Sequence, residues 1–232
     1  MKKFGLIGGL GPESTIEYYQ QIIKKFRELT GSNSYPDFLI QSVDMNKIIE
    51  HVSNQDENSL IEFLAGRIKI IENAKVDFGA IASNTPHIVF DKLSKKVNIP
   101  LLSIVEETCK IAKSKEFKTI GLLGTISTMT NGFYQRTAEK KGIKIVTPTK
   151  SQMDYVHDKY INELLYRNIK QETKNELIDI VNELSEKHSI KGLILGGTEL
   201  PLILNQDDFK NIEILDTTKI HVDSIVRMMI SE

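Results

Sequence analysis

A chain of 232 residues is long enough to bury a sizeable core, as one large α/β domain or two small ones. Hydrophobic residues make up 40% and charged residues 26%, and the formal net charge is −1. That is an ordinary globular balance, and it argues against a nucleic-acid surface as the main function. The apolar runs are strand-sized, so no membrane span is expected. The single cysteine, Cys109, excludes an internal disulfide and fits a reducing cytoplasm.

The opening "MKKFGLIGGLGPES" begins like a secretory leader for three residues. Its apolar run then breaks at Gly-Gly and Gly-Pro with no cleavage site behind it, so a first strand is expected there. Pro12 and Glu13 supply start signals for the helix that follows. Within that helix Tyr18, Tyr19 and Phe26 fall at helical spacing and are expected in the core. Further strand-like runs are "DFLIQSV", "DFGAIAS", "PLLSIV", "TIGLLGT", "IKIVTPT", "GLILGG" and "IEILDT". Cys109 falls on an amphipathic helix in "VEETCKIAKS", where a free cysteine is expected to be buried and inert. The stretch "YINELLYRNIKQETKNELIDIVNELSEK" reads as one long helical pattern. Alternation of strands and helices predicts βαβ units and a mostly parallel sheet.

The chain also echoes itself. "KFGLIGGLG" returns as "KTIGLLGTIS", "VDFGAIASNTPH" as "IKGLILGGTELP", and "NIPLLSI" as "NIEILDT", each displaced by about half the chain. Duplicated halves explain this better than chance repetition of strand-then-glycine. The expected organisation is two pseudo-symmetric α/β domains, each a parallel sheet flanked by helices. One comprises residues 1–108 plus 206–232, the other residues 109–205.

Four loops at strand ends could carry chemistry. "GGLGPEST", containing Leu10, offers free backbone N–H groups at a helix start, which favour an anion. Its spacing matches neither a dinucleotide fingerprint nor a P-loop, and a plain closing turn is the alternative. "SNTPH" supplies Ser83, Asn84, Thr85 and His87; the histidine could titrate near neutrality or serve only to cap a helix. "GTISTMT" clusters Thr125, Ser127, Thr128 and Thr130, which exceeds what N-capping needs and suggests an oxyanion or carboxylate site. In "LILGGTELPL", Gly197 precedes Thr198 and Glu199; the glutamate could serve the helix dipole or orient an acid/base. No CxxC and no paired-histidine spacing supports a zinc site.

The segments "GLIGGLGPESTIEYYQ", "SNTPHIVFD", "IPLLSIVEET", "GLLGTISTMTNGFY" and "LILGGTELPLIL" together resemble the aspartate/glutamate racemase superfamily, in particular its aspartate racemase branch. The resemblance runs nearly end to end. It implies two similar α/β domains with the active site in the cleft between them, commonly as a homodimer. It implies an isomerase that inverts the α-carbon of an amino acid without pyridoxal phosphate or metal. Leu10, Asn84, Thr85, Thr125, Thr128, Thr198 and Glu199 would hold the substrate, with the α-carboxylate in the region of Leu10, Asn84, Thr85 and Thr125. No nucleic-acid or membrane partner is implied.

Such enzymes use two cysteines, one before Asn-Thr and one before Thr-Glu. Here those catalytic positions are Ser83 and Gly197. A thiol ionises near pH 8.5 and lower in a suitable environment, whereas a serine hydroxyl needs an adjacent base and glycine offers no group. A thiol restored at position 197 is expected to restore proton exchange. The basic residue that holds an aspartate side chain aligns with Leu165, with Arg167 and Lys170 nearby, and "SVDMNK" offers only Lys47. An acidic substrate wants a paired cation, so aspartate itself is not favoured. Two readings follow: an amino-acid racemase with altered acid/base groups, or a non-catalytic paralogue that binds an amino acid or dicarboxylate. Decarboxylation or cis–trans isomerisation within the same superfamily ranks third.

Overall fold

A computed structural model describes residues 1–231. The chain divides into two units, Met1–Ile104 joined by the segment from His221 onward, and Val105–Ile220. The first unit runs β1 (Phe4–Gly8), α1 (Pro12–Thr30), β2 (Phe38–Ser42), α2 (Met45–Ser53), α3 (Glu57–Asn73), β3 (Phe78–Ile81), α4 (Phe90–Leu93) and β4 (Leu101–Leu102). After α5 (Ile104–Ser114), the second runs β5 (Thr119–Gly124), α6 (Ile126–Thr130), α7 (Phe133–Glu139), β6 (Lys144–Val146), α8 (Lys150–Asn162), α9 (Gln171–His188), β7 (Gly192–Gly196) and β8 (Glu213–Asp216). The last helix, α10 (Thr217–Ile230), returns the chain to the first unit. All eight expected strands form.

Each unit holds one four-stranded parallel sheet, in the orders β2-β1-β3-β4 and β6-β5-β7-β8. The two halves thus share the order second, first, third, fourth, as duplication predicts. Inner strands β1, β3 and β7 are buried along their whole length, and β5 is nearly so. Continuous apolar runs form such strands because helices cover both faces of a parallel sheet.

In the first unit, Phe4, Leu6 and Phe78 meet Tyr18, Ile22 and Phe26 of α1 and Val222, Ile225 and Met229 of α10 in one apolar cluster. A second cluster joins Ile7 and Ile81 to Leu60, Leu64 and Ile68 of α3. Tyr19 does not enter the core: it is 49% exposed and packs on Phe38 of the edge strand, with ring centroids 5.7 Å apart. Consecutive helical residues point about 100° apart, so only one of the tyrosine pair can face the sheet.

His221 fastens α10 to this unit. Its Nε2 lies 3.2 Å from the Leu102 carbonyl, which can only accept, so Nε2 carries the proton. Nδ1 therefore accepts from the Tyr18 hydroxyl at 2.8 Å. Tyr18→Phe leaves this buried nitrogen without a donor and is expected to lower stability by about 1–3 kcal/mol, measured by urea unfolding at neutral pH.

The second unit corrects two expectations. Residues 206–220, expected with the first domain, belong here, because β8 pairs with β7 from Gly192↔Glu213 to Leu195↔Asp216. The long helical pattern beginning at Tyr160 is broken: α8 stops at Asn162, a 3-10 turn covers Leu164–Tyr166, Arg167 takes φ 53°, and α9 starts at Gln171. The buried Glu163 carboxylate holds this corner. It accepts from Thr173 Oγ1 at 2.6 Å and from Lys159 and Lys170 Nζ at 3.0 Å each. Those bonds, that to Thr173 foremost, hold its carboxyl down to about 2. Cys109, on α5, is fully buried, and burial pushes its thiol up to about 12, so it is an inert packing residue.

Candidate active site

Ligands of open parallel sheets bind beyond the carboxyl ends of the strands, and the sequence-selected loops lie at those ends in both units. In the first, the loop after β1 turns through Gly9 at φ 80° and Gly11 at φ 100°. A Cβ at Gly9 would stand 2.6 Å from Ser42 Oγ and 2.7 Å from the Val43 nitrogen, so only glycine lets the turn pass β2. The Gly9 N–H donates to Thr15 Oγ1 at 2.8 Å. This amide, the natural anion donor of the loop, is already engaged. Leu10 is buried in the cluster of Ile7, Ile48 and Ile81.

The loop after β3 places Ser83 half-buried at φ 81°. A non-glycine residue held there costs about 1–3 kcal/mol, a strain that concentrates at functional positions. Asn84 is buried, and its carbonyl accepts the His87 backbone N–H at 3.0 Å; Thr85 is half-buried. His87 points inward. Its ring stacks on Phe90 with centroids 4.9 Å apart, and neither ring nitrogen has a hydrogen-bond partner. Burial drops its pKa to about 3, so His87 is neutral at physiological pH.

In the second unit, the hydroxyl cluster after β5 is largely spent on local caps. Thr125 Oγ1 accepts from the Thr128 N–H at 3.3 Å and lies 3.1 Å from Thr128 Oγ1, while Thr130 Oγ1 donates to the Ile126 carbonyl at 2.8 Å. The Ile126 N–H donates to His157 Nδ1 of α8 at 3.4 Å.

The loop after β7 is the most informative. Gly197 does not hold a positive φ, so its backbone does not require glycine. The space does: a Cβ there would stand 2.9 Å from Tyr160 Cζ and 3.0 Å from Tyr160 Oη. Tyr160, from α8, is buried and donates its hydroxyl to Glu199 Oε2. Thr198 Oγ1 donates to the same oxygen at 2.7 Å. Burial first, then the Glu199 charge, raises the phenol well above its usual 10. Thr198, Glu199 and Tyr160 form a connected polar group beside Gly197.

The loop of Gly197, Thr198 and Glu199 was singled out in the sequence; Tyr160 and His157 of α8, which bond Glu199 and the Ile126 N–H, were not. A signal existed. A glycine whose backbone is ordinary must be making room for something, and a neighbouring helix rich in aromatic and imidazole groups, "DYVHDKY", was the available source. Of the cations singled out in the sequence, Lys170 pairs with Glu163 at 3.0 Å and Lys47 with Glu50 at 3.4 Å, while Arg167 is exposed.

Comparison with known proteins places the chain in a family. The family model described as Asp/Glu/Hydantoin racemase matches residues 7–225. A broad specificity amino-acid racemase of Bacillus subtilis (strain 168) is 26% identical over 204 residues, covering 87% of each chain. A crystal structure from Yersinia pestis, assigned as an Asp/Glu racemase, covers 100% of both chains at 30% identity with a TM-score of 0.92. That of an aspartate racemase homologue from Pyrococcus horikoshii OT3 also covers 100% of both, at 32% identity and a TM-score of 0.87. With the match spanning both units and every strand end described above, the chain belongs to the Asp/Glu/Hydantoin racemase family.

Proposed function

We propose that the protein is a cofactor-independent amino-acid racemase that inverts Cα by proton transfer on two faces. The observation that carries this reading is the survival of Asn84-Thr85 after β3 and Thr198-Glu199 after β7, at equivalent strand ends of two like-ordered sheets, in a chain of this family. Ser83 is the catalytic position of the first half and residue 197 that of the second. Leu10, Asn84, Thr85, Thr125, Thr128, Thr198 and Glu199 form the substrate-binding set. The strain at Ser83 supports its place in the site. We infer that the substrate is a free amino acid without a side-chain carboxylate, because Leu165 offers no charge where the resemblance places a cation; Lys47 and Lys170 pair with Glu50 and Glu163, while Arg167 is exposed. The breadth named for the Bacillus subtilis relative fits a neutral or mixed substrate range. We infer a cytoplasmic homodimer that uses neither pyridoxal phosphate nor metal.

One observation favours a second reading, a binding paralogue for an amino acid or dicarboxylate. Neither residue 83 nor residue 197 carries an ionisable thiol. The experiment that separates the two is α-proton exchange in deuterated water, followed by proton NMR across both enantiomers of a panel of amino acids. The racemase reading expects exchange with at least one neutral amino acid. Calorimetric binding without any exchange would replace it with the binding reading.

A further inference from the structure

We propose that Tyr160 is the catalytic acid/base of the second face, standing in for a thiol at position 197, with Glu199 holding the proton that Tyr160 relays. The proposal rests on the racemase reading. It starts from an exchange of volume. The glycine at 197 is not required by its backbone, and the space its missing Cβ leaves is filled by the Tyr160 ring. The phenol oxygen lies 3.0 Å from where that Cβ would stand. The phenol thus stands beside the place from which a side chain at 197 would project.

The partners of the hydroxyl make it competent. A phenol held well above its usual pKa cannot act as a free phenolate. Its bond to Glu199 Oε2 removes the need for one. As the Cα–H bond breaks, its electron pair stays on the substrate, delocalised towards the substrate carboxylate. The proton bonds to Tyr160 Oη while the original hydroxyl proton passes to Glu199, which becomes a neutral acid. Running the same steps backward returns a proton to Cα through Tyr160. One proton moves between substrate and Glu199, and no oxidant, reductant or cofactor enters the balance. Thr198 Oγ1, 2.7 Å from the same carboxylate oxygen, fixes that oxygen against the phenol.

The test is Tyr160→Phe in the full chain, which removes one oxygen and keeps the ring. Each enantiomer of the amino-acid panel is incubated separately in deuterated water. Deuterium uptake is read by NMR and inversion by chiral chromatography, with the melting temperature checked alongside. The expected result is inversion slowed roughly 100-fold or more, with deuterium uptake persisting from one enantiomer only and with retained configuration. Glu199→Gln is expected to remove the same face. Inversion by Tyr160→Phe at the parent rate overturns the proposal and leaves the racemase reading intact, as does equal loss of uptake from both enantiomers in a folded variant. A parent chain that exchanges neither enantiomer of any amino acid overturns the racemase reading itself, and this proposal with it. Should Tyr160→Phe fail to fold, 3-fluorotyrosine at position 160 replaces it: a several-fold change in inversion rate at unchanged melting temperature is expected, and an unchanged rate overturns the relay.

Discussion

Gly197→Cys is expected to destabilise the second unit by about 3 kcal/mol or more, and not simply to install a thiol. Overpacking a filled site costs about 1–3 kcal/mol. Here the clashing atoms are Cζ and Oη of a buried tyrosine, at 2.9 and 3.0 Å from the new Cβ. Relief requires the ring to swing, and that breaks its bond to Glu199. A hydrogen bond to a charged group adds about 1.5–3 kcal/mol to the loss. Gly197→Ala should cost nearly as much, since the Cβ rather than the sulfur makes the clash. Tyr160→Ala alone should also destabilise, by opening a cavity. The double variant Gly197→Cys with Tyr160→Ala is expected to be more stable than the sum of its parts, giving a coupling of about 1–3 kcal/mol in a double-mutant cycle. Urea unfolding at neutral pH measures all four species. Additive effects would mean that the ring already yields to a side chain at 197. The expectation that a thiol at 197 restores exchange is thereby sharpened: the thiol needs the tyrosine gone.

The fold was legible because its signals are local. Each of the eight strands announces itself as a short apolar run closed by glycine, proline or a hydroxyl residue, and a buried parallel strand needs nothing more. The duplication was legible because echoes preserve order and spacing. Those echoes even contained the correct domain division: "NIEILDT" repeats "NIPLLSI", so β8 had to close the second sheet as β4 closes the first. Assigning residues 206–220 to the first domain ignored that correspondence. The break after Asn162 was not legible, because its cause is a buried carboxylate gathering Thr173, Lys159 and Lys170 from both sides of the turn. Helical periodicity continues straight through such a corner.

At the strand ends, loops were visible in the sequence and their packing partners were not. Strand-end residues such as Ser83, Asn84, Thr198 and Glu199 are revealed by position alone. Tyr160 lies far from them in sequence and reaches Glu199 only through the packing of α8 against β5 and β7. The hydroxyl cluster at Thr125–Thr130 carries a second demand that its sequence does not show. Its density suggested a ligand, yet most of its bonds close a five-residue helix. Counting donors in a sequence overstates what remains available once capping has taken its share.

Acid should unfold the protein from the first unit, starting well above the carboxylate range. His87 and His221 are both buried and neutral, with pKa values lowered to about 3 and about 4. Burial is the leading cause for each, and for His87 the proximity of His221 adds to it, because the two rings resist being charged together. Unfolded histidine titrates near 6.5. Between pH 6.5 and the folded values, the unfolded chain binds protons that the native chain refuses, so stability rises with pH in that window. It is complete above 6.5 and is lost as pH falls towards 4. Each histidine contributes about 1.4 kcal/mol per pH unit, and the pair about 2.7. From pH 6.5 to 5 the loss is about 3 kcal/mol, a large share of a typical domain's stability. Glu163 acts lower: with its carboxyl near 2, its contribution holds above about 4.5 and declines only below it. His87→Leu is the sharpest probe, because neither ring nitrogen has a well-formed hydrogen bond that the substitution would break, only weak backbone contacts at Ser83 and Asn84. It should halve the slope of unfolding free energy against pH between 6.5 and 5, leaving the variant more stable than the parent at pH 5. His221→Leu should flatten the slope too, but from a lower starting point at pH 7, since it strands the Tyr18 hydroxyl and the Leu102 carbonyl. Urea titrations at half-unit pH steps separate the two. A parent slope near zero across this window would mean that neither imidazole is kept from its proton by the fold.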